Sequence, residues 1–78
     1  MIDQKKIVEA IAENLTLPVT DIDPESDLQD DLGLNRVEVA DLLTELSKKF
    51  NILFDPVEIG DVETVGDLVN LIEDKLLE

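Results

Sequence analysis

The sequence predicts an all-α fold: a four-helix bundle with three longer helices, one short helix and a long first loop. Three observations predict it. Apolar residues recur at three- and four-residue spacing in three separate segments. Helix-capping residues stand at the starts of those segments. No stretch alternates apolar and polar residues as a half-buried strand does. The chain has 78 residues, which suits a single domain over 1–78.

The first helix is expected over residues 4 to about 15, with Ile7, Val8, Ile11 and Leu15 on one face. Asp3 is its expected N-cap, and Ile2 with Ile7 forms a hydrophobic staple. Pro18 marks the end. Residues 16–34 then form a connection long enough to need its own packing. Val19, Ile22, Leu28, Leu32 and Leu34 are its candidate tethers, and residues 27–32 are expected to make one helical turn closed by Gly33.

The second helix, residues 36–50, is the strongest. Val39, Leu42, Leu43, Leu46 and Phe50 form its apolar stripe. Asn35 is a good N-cap and Glu38 stands three residues on, the pattern of a capping box. Lys48 and Lys49 lie in the last turn, where the helix dipole favours cations, and Asn51 suits a left-handed C-terminal position. Asp55-Pro56 begins a short helical turn containing Val57 and Ile59, which Gly60 is expected to end. Thr64 caps the last helix, with Asp67 in its first turn and Val65, Leu68, Val69, Ile72 and Leu76 as its stripe.

Composition excludes much. Cysteine and histidine are both absent, which removes disulfides, thiolate and imidazole metal sites and the usual neutral-pH general base. No nucleophile, imidazole or metal-ligand set is visible, so the chain is not expected to be an enzyme. Tyr and Trp are absent, leaving Phe50 and Phe54 as the aromatics, too few for a base-stacking platform. The net charge is −14, from 20 acids and 6 bases. That charge repels nucleic acid and anionic membranes and suits proteins with basic patches, or cations. The N-terminal residues lack an apolar signal core, and no apolar run is long enough to span a bilayer. The expectation is a cytoplasmic, soluble monomer. The acidic loop fails as an EF-hand, because Ser26 stands where glycine is needed and Leu32 where a bidentate Glu is needed.

Two stretches carry a family resemblance. Asp27-Leu28-Gln29-Asp30-Asp31-Leu32-Gly33-Leu34 is one; Phe50, Ile52 and Phe54 followed by Thr64-Val65-Gly66-Asp67-Leu68 is the other. With the helix order, they make the chain resemble an acyl carrier protein over nearly its whole length. The resemblance implies a four-helix fold, a link to fatty acid or polyketide pathways, and an Asp-Ser-Leu motif at the start of the second long helix. A transferase attaches 4′-phosphopantetheine to that serine, and the arm's thiol carries acyl groups. Laid on this chain, the motif becomes Asn35-Arg36-Val37. A guanidinium has no acceptor lone pair and does not deprotonate in a protein, so it cannot be the attachment nucleophile. No cofactor is therefore expected at Arg36.

In the family, basic partners dock on an acidic second helix. Here Glu38, Asp41 and Glu45 are balanced by Arg36, Lys48 and Lys49, so the helix is formally neutral. The acids gather elsewhere: Asp21, Asp23, Glu25, Asp27, Asp30 and Asp31 in the loop, and eight in residues 51–78 against Lys75 alone. The candidate partner-binding residues are Arg36, Val37, Glu38, Ala40, Asp41 and Thr44. Three functions stand open: a non-carrier protein-interaction module, a carrier whose serine is displaced or altered, and a non-covalent binder of lipid or divalent cations. Neutral drift at Arg36 is the plain alternative to a selected docking cation, since a cation in a first turn costs at most about 1 kcal/mol.

Overall fold

The computed structural model describes residues 4–77. Helix α1 spans Gln4–Leu15, a 3₁₀ turn follows at Val19–Asp21, and α2 spans Arg36–Phe50. Helix α3 is short, Pro56–Asp61, and α4 spans Val65–Leu76. Among the described residues there is no strand, and an isolated antiparallel bridge joins Asp27 to Thr64. The expected Asp3 cap and the Ile2 half of the staple lie outside the described residues.

Each later helix starts where its cap dictates. Asn35 Oδ1 accepts from Glu38 N at 2.8 Å while Glu38 Oε1 accepts from Asn35 N at 3.0 Å, completing the expected box. Asp55 and Glu58 repeat the device on α3, and Thr64 and Asp67 on α4. At the end of α2, Asn51 takes the left-handed conformation with φ 55°.

Helix α1 packs on both α2 and α4. Its Ile7, Ala10, Ile11 and Ala12 meet Val39, Leu42, Leu43 and Leu46 of α2 and Val65, Leu68, Val69 and Ile72 of α4 in one core. Val8, Leu15, Phe50 and Leu76, expected in the stripes, are half-buried at its margin. Ile22 and Leu28 are buried and anchor the long connection, while Leu32 and Leu34 are half-buried. Val19 does not tether it. It remains 44% exposed because the 3₁₀ turn projects it outward.

Residues 27–34 fold as consecutive turns rather than a helix. Asp31 N and Leu32 N both donate to Asp27 O at 3.0 Å, and Leu34 N donates to Leu28 O at 3.0 Å. Asp27 Oδ1 accepts from Gln29 N and Asp30 N, both at 2.9 Å, and Asp31 Oδ2 accepts from Asp27 N at 2.7 Å. The two carboxylates satisfy backbone donors of the turn, which is ordinary turn chemistry. Gly33 then takes φ +72°, as the expected closing residue.

The connection is sewn to the start of α4. Leu28 N donates to Glu63 O at 2.9 Å, Val65 N to Ser26 O at 3.0 Å, and Gly66 N to Pro24 O at 2.8 Å. The last two satisfy α4 donors that have no partner inside the helix. The Cα radius of gyration, 11.3 Å, matches the roughly 11.5 Å expected for this length, so the loop lies on the bundle and does not extend from it.

Helix α3 departs from expectation in two ways. It runs through Gly60 to Asp61, because Gly60 keeps a negative φ and so does not terminate it. It also buries no residue fully: Val57 is 74% exposed and Ile59 is exposed. An ion pair fastens it to α4, with Lys75 Nζ 2.8 Å from Glu58 Oε1 and side chains only 17% and 28% exposed.

Candidate functional site

Arg36 is the first residue of α2, directly after the Asn35 cap. Asn35, Arg36, Val37, Glu38, Ala40, Asp41 and Thr44 are all exposed, and Val37 is 68% exposed. The expected cluster thus lies on the surface, but it does not form a single patch. Arg36 and Ala40 look into a depression toward α3, where Val39, Ile59, Gly60 and Val62 complete the lining. Glu38 and Asp41 look the other way, with Glu45, Leu15 and Leu34, into a groove of about 280 Å³ between α1 and α2. The helix period separates them: residues 36 and 40 share a face, while 38, 41 and 45 share another.

The hydroxyls of α2 are engaged with its backbone. Thr44 Oγ1 donates to Ala40 O at 2.9 Å and Ser47 Oγ donates to Thr44 O at 2.7 Å. Neither is in the first turn of α2. The Ser26 backbone carbonyl accepts from α4, in the loop and away from the helix start.

Charge at the site has a definite pattern. Lys48 pairs with Glu45 at 3.9 Å and Lys49 with Glu13 at 4.0 Å, both exposed pairs of the kind worth about 0–1 kcal/mol. Among the described residues Arg36 belongs to no ion pair. An unpaired guanidinium on a molecule of charge −14 is a distinct local feature. The Glu58 carboxyl is held below its ordinary range, first by the backbone N–H of Asp55 and then by Lys75. Among the described residues no group of three or more acidic side chains is arranged to hold a metal ion. No helix of these residues is long and apolar enough to cross a membrane.

The groove residues from α3 and its flank, Ile59, Gly60 and Val62, escaped the reading of the sequence. They come from an element remote in the chain, and no local pattern marks them as neighbours of Arg36.

Comparison with known proteins adds to this geometry. A family model described as "Phosphopantetheine attachment site" matches residues 5–72. An acyl carrier protein of an Exiguobacterium strain is 39% identical over 70 residues, covering 90% of this chain and 89% of that one. The acyl carrier protein of Thermotoga maritima is 32% identical over 71 residues, covering 91% and 88%. Among solved structures, a Mycobacterium tuberculosis protein assigned to the acyl carrier proteins superposes with TM-score 0.80 at 26% identity, covering 92% of this chain and 97% of that one. An Enterococcus faecalis acyl carrier protein superposes with TM-score 0.79 at 18% identity, covering 95% and 99%, a likeness of fold alone. Members of this family are carriers that work with partner proteins and are not enzymes. On sequence, fold and coverage together, the chain belongs to the acyl carrier protein family of phosphopantetheine attachment-site domains.

Proposed function

We propose that this chain is an acyl-carrier-like module that bears no phosphopantetheine and acts in the cytoplasm through protein contacts within fatty acid or polyketide pathways. The observation that carries the reading is Arg36, an exposed arginine at the first position of α2, immediately after its cap. The family's serine falls at this helix start, and a guanidinium cannot form the phosphodiester bond that a hydroxyl forms. The nearest hydroxyl along α2, on Thr44, lies about two turns further on and donates to the Ala40 carbonyl. These residues do not fit the phosphopantetheine arm. The surface of α2 that remains, with Arg36, Val37, Glu38, Ala40, Asp41 and Thr44 exposed, is a contact surface.

The test is direct. The purified chain is incubated with coenzyme A and a broad-specificity phosphopantetheinyl transferase, and its intact mass is measured. The wild type is expected to keep its mass, and Arg36→Ser to gain one phosphopantetheine. A gain on the wild type overturns the reading and returns the chain to the carriers.

A further inference from the structure

Two depressions at the surface are the halves of one groove. One, of about 320 Å³, is lined by Arg36; the other, of about 390 Å³, by Asp30 and Glu63. Gln29, Val39, Gly60 and Val62 line both. The shared residues are uncharged; the half at Arg36, which Ile59 joins, presents the more apolar surface, while the half at Asp30 and Glu63 is mainly polar, so a cation stands at one end and carboxylates at the other. Asp27 also borders the acidic end, but its Oδ1 is occupied by the backbone of Gln29 and Asp30. Among the described residues, Asp30 and Glu63 form no ion pair, and neither does Arg36. The unsatisfied charges thus face a common trough from opposite ends.

We infer that this groove seats an extended segment of a partner protein in which an acidic and a basic side chain flank an apolar one. The inference rests on the interaction reading above and names its partner's chemistry. Charge complementarity selects the occupant. The apolar side chain covers Ile59 and Val62, a carboxylate meets the Arg36 fork, and an ammonium or guanidinium meets Asp30 and Glu63. A purely basic segment satisfies only one end and leaves Arg36 facing like charge. A purely acidic segment meets the repulsion of the whole molecule. The two-ended pattern also fixes the direction in which the segment lies, because reversal places like charges together at both ends.

The experiment uses the intact chain and a randomised heptapeptide library displayed on phage. Selection is expected to enrich peptides with an acid and a base on either side of an apolar residue. A synthetic peptide of the enriched sequence should shift the backbone amide resonances of Val39, Ala40, Gly60 and Val62. Arg36→Glu should weaken its binding at least tenfold, and a peptide with its acid changed to lysine should recover binding to that variant. The Asp30→Lys, Glu63→Lys double variant should lose binding to the original peptide to a similar extent. All three positions are exposed, so the variants are expected to fold, which circular dichroism checks. Failure to enrich any motif, enrichment of acid-free basic peptides that bind Arg36→Glu undiminished, or resonance shifts centred elsewhere would each overturn the inference. A pantetheine mass gain on the wild type defeats only the non-carrier reading, so the two failures are read separately.

Discussion

The bond between Gly66 and Pro24 sets up a sharp contrast between two glycines. Both sit in helices with negative φ, so helix propensity alone makes alanine better at each by up to about 1 kcal/mol. Their surroundings differ. A Cβ on Gly60 meets nothing within 4 Å. A Cβ on Gly66 lies 2.9 Å from the Pro24 carbonyl oxygen, where relaxed carbon–oxygen contacts begin at about 3.3–3.6 Å. That oxygen has little room to retreat. It accepts from Gly66 N at 2.8 Å, and the neighbouring bonds at Ser26 and Leu28 hold the same strip of loop. Overpacking of this kind costs about 1–3 kcal/mol, and a lost backbone bond adds about 0.5–1.5 kcal/mol. Set against a propensity gain of about 1 kcal/mol, Gly66→Ala should lose about 0.5–3.5 kcal/mol net. For a domain of this size each kcal/mol moves Tm by about 4–8 °C, so the fall should be roughly 2–28 °C. Gly60→Ala should instead raise Tm by a few degrees, through a gain of about 0.5–1 kcal/mol. Thermal unfolding by circular dichroism, with urea titration to confirm an unchanged m-value, reads both. If Gly66→Ala matches Gly60→Ala in raising Tm, the stitched loop does not constrain the start of α4 and the reasoning fails.

Two further outcomes follow from charge. The carboxyl of Glu58 is held below its ordinary range by the Asp55 N–H and by Lys75. Its contribution to stability is therefore fully present above the unfolded glutamate pKa of about 4.3 and is lost as pH falls through the lower folded value. Urea midpoints of wild type and Glu58→Gln should differ by a constant amount from pH 7 to about pH 5 and converge in stronger acid; a gap that persists in strong acid removes the ion pair as its cause. With 20 acids against 6 bases, added sodium chloride or millimolar magnesium should raise Tm by screening repulsion. A level Tm across a salt series would show that the carboxylates lie too far apart to oppose folding.

Helix starts were the most legible part of the fold. The Asn35–Glu38 box is local in sequence and forms as read, and Thr64 caps α4 as expected, with Asp67 closing a second box. The apolar stripes of α2 and α4 were legible for the same reason, since one helical period fixes them. The long connection was only half legible. Ile22 and Leu28 anchor it as expected, but Val19 does not, because its exposure depends on a 3₁₀ turn that no periodicity announces. The bonds from residues 24–28 to residues 63–66 were not legible at all, as backbone pairing across that separation leaves no mark in side-chain pattern. Gly60 misled because glycine ends helices by adopting positive φ, and here it simply does not. At the site, the place of Arg36 was readable from its neighbours. The depression it faces was not, because Ile59, Gly60 and Val62, three of its seven lining residues, come from a segment remote in the chain.

The seam between the connection and α4 also bears on the order in which the chain acquires its shape. The Pro24 and Ser26 carbonyls and the Leu28 N–H find their partners at residues 63–66, so during synthesis the first half cannot complete its tertiary arrangement alone. Helices α1 and α2 can form early from local contacts, but the segment between them must wait for a distant hairpin-like clasp, a non-local closure that slows an otherwise fast helical topology.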